Sequence, residues 1–216
     1  MNGFDHYKEI RKNFQWNVPD DFNFGRDVVD RYASDRSKVA FFYEDARGAA
    51  AKYTFWEVSR VSDRLGNVLQ GLGVKAGDPV LLLLQNVPEW YFCMAAGSKI
   101  GAVTIPCSDQ LRPKDLIYRA QHSGARTIIS WDAKCGEVDQ IRKECPGLVN
   151  FVCVGERKPG WLSFRDELAK ASQALTVREG KASEPMLVYY TSGTTGNPKA
   201  VMHSHFYTGA HWVTGK

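Results

Sequence analysis

The chain has 216 residues, room for one large domain or two small ones, and its 44% hydrophobic and 24% charged content describes an ordinary globular core. Lys and Arg number 28 against 24 Asp and Glu, a net of +4 spread along the chain, which gives neither a nucleic-acid stripe nor a polybasic membrane patch. Five cysteines, at positions 93, 107, 135, 145 and 153, are odd in number and lack Cys-x-x-Cys spacing; they argue against a disulfide framework or zinc site and for a reducing compartment.

The first residues hold no apolar run of signal-peptide length, and Asp5 and Glu9 speak against a transit peptide. With no apolar run long enough to span a bilayer, the expectation is a cytoplasmic protein without a membrane span. Short runs rich in Val, Ile and Leu predict strands over 39–43, 80–84, 102–106, 126–130, 150–154 and 186–190. Continuous apolar runs, rather than alternation, suit strands covered on both faces of a parallel sheet.

Helices fill the gaps. Thr54-Phe55-Trp56-Glu57 matches a capping box; Phe55, Val58, Val61, Leu65, Val68, Leu69 and Leu72 then share one face, and Gly73 ends the helix. Further helices are expected from Pro88 toward Ile100, from Pro113 to Gly124, over about 133–144 and over about 164–172. Residues 174–185 read as a connecting loop. Strand and helix in alternation predict an α/β fold, a mostly parallel sheet flanked by helices.

Ligands of such sheets sit beyond the carboxyl ends of the strands. There the sequence places Thr191-Ser192-Gly193-Thr194-Thr195-Gly196, followed by Pro198 and Lys199. Glycines let backbone N–H groups turn inward, hydroxyls add donors and a lysine adds charge, which together suit a triphosphate. The Walker A pattern is not met. Lys199 stands three residues beyond Gly196, and Ala200 follows it instead of Ser or Thr. The next residues, AVMHSHF, have strand character and no helix start, so the loop is expected to join two strands. An unadorned surface turn is the plain alternative.

Tyr190 to Lys199, Y-T-S-G-T-T-G-N-P-K, resembles the phosphate-loop signature of the adenylate-forming superfamily. VPEW at 87–90, GAVTIP at 101–106, QLRPKDLIYRAQHSGARTIIS at 110–130, EVDQIRKECPGL at 137–148 and GWLSFRDELAKAS at 160–172 resemble its medium-chain acyl-CoA synthetase branch. The resemblance implies that residues 1–216 form the first part of an N-terminal AMP-binding domain. The remainder of that domain and a C-terminal lid domain are then absent, together with the adenine and ribose motifs, the magnesium-associated acid and the C-terminal lysine.

It implies ATP, Mg²⁺ and coenzyme A as cofactors and a small-molecule carboxylic acid as substrate, activated through an acyl-adenylate to a thioester. Thr191, Ser192, Thr194 and Thr195 would contact the β- and γ-phosphates; Gly193 and Gly196 would allow close approach; Lys199 would neutralise charge or anchor the loop. The family's downstream histidine is matched by His205, or by His203, near the acyl carboxylate. Packing explains either histidine equally well, and a His203/His205 metal pair lacks a third ligand in the sequence. Trp56, Trp90 and Trp131 read as core. A non-catalytic nucleotide-binding scaffold and a kinase-like phosphotransferase are the competing functions. An uncovered sheet edge would favour homo-oligomers.

Overall fold

The computed structural model describes residues 3–191 and 196–214. A seven-stranded sheet forms its centre, with strand order β7-β6-β5-β3-β4-β8-β9. In chain order its strands are β3 (Pro79–Leu83), β4 (Val103–Cys107), β5 (Thr127–Trp131), β6 (Asn150–Val154), β7 (Leu162–Ser163), β8 (Pro185–Thr191) and β9 (Lys199–Ser204). All neighbours are parallel except β8 and β9, which pair antiparallel from Pro185↔Ser204 to Thr191↔Lys199.

The continuous apolar runs have the predicted cause. Within β3, Val80 and Leu82 enter one core, packed with Leu65 and Leu69 of α2 (Phe55–Gly71) and Phe92 and Ala96 of α3 (Pro88–Ile100). Leu81 and Leu83 enter the other, packed with Leu116 and Ala120 of α4 (Pro113–Ser123) and Val138 of α5 (Cys135–Gln140). With helices on both faces, neither side of the strand meets water, so alternation disappears from the sequence. A short α6 (Phe164–Lys170) completes the first layer.

The Thr54/Glu57 capping box is present in full. The Glu57 amide donates to Thr54 Oγ1 at 3.2 Å, and the Thr54 amide donates to Glu57 Oε2 at 2.8 Å. Those backbone and hydroxyl hydrogen bonds hold the Glu57 carboxyl below its usual range.

Several expectations need correction. The first strand, β1 (Val39–Glu44), lies outside the main sheet and forms a separate antiparallel pair with β2 (Ala50–Thr54). α5 is shorter than the predicted 133–144: a 3₁₀ turn, Asp132–Lys134, precedes it, and the Ile141 amide closes back on Val138 O at 3.1 Å. Helix α1 (Gly3–Asn13) and a π-helical turn (Gly25–Asp30) were not among the expected elements. Helix α7 (His205–Thr214) begins inside AVMHSHF, where strand character was expected and no helix start. Its first amides find acceptors in the 174–185 loop instead, His205 N–H on Glu184 O at 3.2 Å and Phe206 N–H on Ala182 O at 2.8 Å. All five cysteines are free and buried; Cys135 and Cys153 lie with their sulfurs 3.5 Å apart.

Among the described residues β9 is the edge strand of the sheet, and apolar side chains lie exposed on it, Val201 at 40% and Met202 at 64%, with Phe206 at 36% on the following α7. An unpaired edge beside exposed apolar surface recruits further strands. The purified chain is therefore expected to self-associate and bind a hydrophobic dye, with Met202→Lys reducing both. Light scattering and dye fluorescence read this; a dye-silent monomer would contradict it.

Candidate phosphate-binding hairpin

The hydroxyl-rich loop joins β8 to β9, at the carboxyl end of β8 and beside the carboxyl end of β4. It is a strand-to-strand connection, as the strand character of AVMHSHF predicts. Ser192, Gly193, Thr194 and Thr195 lie outside the described residues. The flanks are placed. Thr191 and Lys199 face each other as the last register pair, both exposed, with Thr191 Oγ1 donating toward Lys199 O at 3.5 Å. Gly196 has φ +132°, a backbone region closed to most L side chains, and a Cβ built there would meet nothing within 4 Å. Thr191 and Lys199 are thus brought together on one exposed rim, with Gly196 three residues before Lys199.

Helix α4 packs against both feet of the loop. Tyr118 Oη donates to Pro198 O at 3.1 Å, and His122 Nδ1 lies 2.8 Å from Tyr190 Oη. The Tyr118 and His122 rings stack at 5.3 Å, and Tyr190 meets Tyr118 edge-on at 6.1 Å. The buried Arg119 guanidinium lies 5.2 Å over the Tyr190 ring and donates to Asp115 O at 2.9 Å. None of these α4 contacts was foreseen. They come from a residue pair at i and i+4, 68 and 80 positions away in sequence.

His205 is not brought to the loop. It follows Ser204, the partner of Pro185 at the start of β8, so the whole hairpin separates it from Thr191 and Lys199. Six residues of strand span about 20 Å. The expectation that His203 and His205 share one strand face also fails, because His205 is the first residue of α7. His203 stays on β9, its ring 4.2 Å from Tyr207 and 5.9 Å from Tyr189. No cluster of three or more His, Cys, Asp or Glu able to hold a metal occurs among the described residues.

His205 is 3% exposed, and its Nδ1 has no hydrogen-bond partner. Burial pulls its pKa below the ordinary 6.5; Glu184 opposes that shift and Arg178 adds to it. A histidine with a lowered folded pKa contributes stability above its unfolded value and loses it as pH falls through the folded value. Thermal melts of the wild type are therefore expected to drop as pH falls below about 6.5, and His205→Leu should lose that component. Parallel pH profiles of the two proteins would contradict the assignment.

Trp90 and Trp131 pack against the first core, as expected. Trp56 does not: it is sandwiched by Arg36 and Arg60, their guanidinium carbons 5.1 and 4.7 Å from its ring centre. An apolar cavity of about 460 Å³, lined by Phe24, Val29, Phe41, Trp90, Met94 and Met186, lies at the amino end of β8, away from the loop.

A family profile described as AMP-binding enzyme matches residues 28–214. The human protein named acyl-coenzyme A synthetase ACSM5, mitochondrial, is 40% identical over 204 residues, 91% of this chain and 35% of the relative. Human acyl-coenzyme A synthetase ACSM1, mitochondrial, is 36% identical over 88% of this chain and 35% of its own length. The chain thus spans about a third of the length of these relatives. Among solved structures, an acyl-CoA synthetase from Brucella canis superposes with a TM-score of 0.84 at 26% identity, covering 94% of this chain and 39% of that one. The anthranilate CoA ligase AuaEII, in complex with anthranoyl-AMP, gives a TM-score of 0.79 at 28% identity over 88% of this chain and 36% of that one.

Proposed function

Because the chain belongs to the family of AMP-binding enzymes, we propose that residues 1–216 hold the triphosphate of ATP on the β8–β9 hairpin, as the nucleotide-handling part of an acid–CoA ligase. The observation that carries this reading is the rim itself. Thr191 and Lys199 face each other in register, beside a glycine whose backbone leaves the approach open.

The chemistry asks little of the protein beyond placement and charge relief. A carboxylate attacks the α-phosphorus of ATP, the bond to the β-phosphate oxygen breaks, and pyrophosphate leaves with the electron pair. The carboxylate is already a nucleophile, so no general base is required. What lowers the barrier is alignment and neutralisation of charge on the departing group. Lys199 supplies the charge, Thr191, Ser192, Thr194 and Thr195 the hydroxyl donors, and Gly193 and Gly196 the room for backbone amides. In the second half-reaction the coenzyme A thiolate attacks the acyl carbon and AMP departs. A carboxylic (fatty) acid is the substrate class we propose, in keeping with relatives named acyl-coenzyme A synthetases. Mg²⁺ would arrive bound to the nucleotide phosphates, since such an ion needs few protein ligands. His205 stands at the far end of β9 from the loop, and the role we propose for it, near the acyl carboxylate, lies outside the phosphate contacts.

The compartment expected from sequence, the cytoplasm, differs from the one in the relatives' names. Fractionation of the source cell decides between them. No helix among the described residues is long and apolar enough to cross a membrane.

The test is competition. Magnesium-bound tripolyphosphate should displace ATP from the chain, and adenosine should not. Displacement by adenosine but not by tripolyphosphate would overturn the phosphate reading and favour a scaffold that recognises only the base.

A further inference from the structure

We propose that Tyr118 and His122 of α4 are positioning residues that clamp the two feet of the phosphate-binding hairpin and so hold Thr191 and Lys199 at a fixed separation; the ligand half of this rests on the function proposed above. The two feet are Tyr190, which precedes Thr191, and Pro198, which precedes Lys199. Each is tied to the same helix face: Tyr118 Oη donates to Pro198 O at 3.1 Å, and His122 Nδ1 pairs with Tyr190 Oη at 2.8 Å. Tyr118 and His122 are four residues apart on α4, so one helical turn presents both side chains to the hairpin.

The hairpin needs an external tie. Among the described residues no strand lies on the far side of β9, and β8 meets β4 through the register pair Thr104↔Leu187, near the amino end of β8. The carboxyl end of β8, where Thr191 sits, is thus held mainly by β9 within the sheet and by α4 from one face. Stacking of Tyr118 on His122 at 5.3 Å, and of both rings edge-on to Tyr190, makes the clamp a packed aromatic block rather than two isolated hydrogen bonds. The α4 helix is itself fixed by Leu116 and Ala120, both buried in the second core. A rigid helix therefore transmits the position of the sheet to the loop. Pre-setting a site in this way lowers the ordering cost of binding.

The experiment compares wild type, Tyr118→Phe and His122→Phe, with Tyr91→Phe as a control that removes a tyrosine hydroxyl bonded to Asn86 at 3.2 Å elsewhere on the surface. Both clamp variants keep a ring in place and are chosen to fold. Two readouts are taken on the 216-residue chain: amide hydrogen exchange of Thr191, Lys199 and Ala200, and affinity for magnesium-bound ATP. The clamp predicts faster exchange at those three amides and about 3- to 10-fold weaker ATP binding at an unchanged thermal midpoint, with the control matching wild type. Unchanged exchange and affinity in both clamp variants would overturn the proposal. So would a loss spread over the whole chain with a lowered midpoint, which marks a structural role. A wild type that binds neither ATP nor tripolyphosphate, while Tyr118→Phe still loosens the three amides, would remove the phosphate reading and leave the clamp standing.

Discussion

Lys99→Met is expected to cost about 3–5 kcal/mol of folding stability, a large share of the 5–15 kcal/mol that holds a typical domain together. Lys99 is fully buried on α3, and its ammonium bonds Asp30 Oδ1 at 2.5 Å and Asp63 Oδ1 at 2.6 Å, with Ser59 O at 3.3 Å. Those carboxylates come from different elements, the π-helical turn and α2, so one cation ties three segments together. The approach is close enough that a Cβ on Gly25 would stand 2.4 Å from Lys99 Cγ.

Removing the ammonium leaves two carboxylates with side-chain exposures of only 29% and 21% and without the cation bonded to both. An uncompensated buried charge costs more than the intact cluster gains over an apolar replacement, which explains the expected size. Burial already pushes the Asp63 carboxyl above its usual value, with Lys99 pulling the other way. Without Lys99 the folded-state value rises further. A carboxyl raised in the folded state gives stability at low pH and loses it as pH rises through the folded value. The deficit of Lys99→Met should therefore shrink on acidification toward about pH 4. Urea unfolding of both proteins at pH 7 and pH 4.5 measures this. A variant within 1 kcal/mol of wild type at pH 7 would show the cluster to be dispensable.

What could be read in advance follows the locality of each cause. The capping box at Thr54 and Glu57 needs only four consecutive residues, and it forms as written. The parallel strands were visible because burial on both faces leaves an unbroken apolar run. β2 was not visible: Ala50, Ala51 and Lys52 are exposed, so no hydrophobic face marks it, and its partner β1 defines it. β7 is two residues long and owes its existence to β6. The start of α7 was missed because the strand character of AVMHSHF masked it, and its first amides bond the distant carbonyls of residues 182 and 184.

At the site, the composition of the loop and its strand-to-strand setting were legible. The setting of His205 was not. Read as a strand residue two positions after His203, it is instead the first residue of α7. Tyr118 and His122 gave no local signal at all, since nothing on α4 announces which strand will pack across it.

The other large effect concerns the loop. Replacing Lys199, Thr194 and Thr195 together by Ala should weaken binding of magnesium-bound ATP by about 100-fold or more. A charge-assisted hydrogen bond contributes about 1.5–3 kcal/mol and each neutral one about 0.5–1.5 kcal/mol, so the three together reach that range. Lys199 is exposed on the last register pair of the hairpin, so its loss should leave the fold intact. Calorimetric titration of ATP into wild type and triple variant, at matched thermal midpoints, puts the account to its most direct trial. The predicted result is binding by the wild type and its near-abolition in the variant. Equal dissociation constants for the two proteins would show that this hairpin does not grip the phosphates.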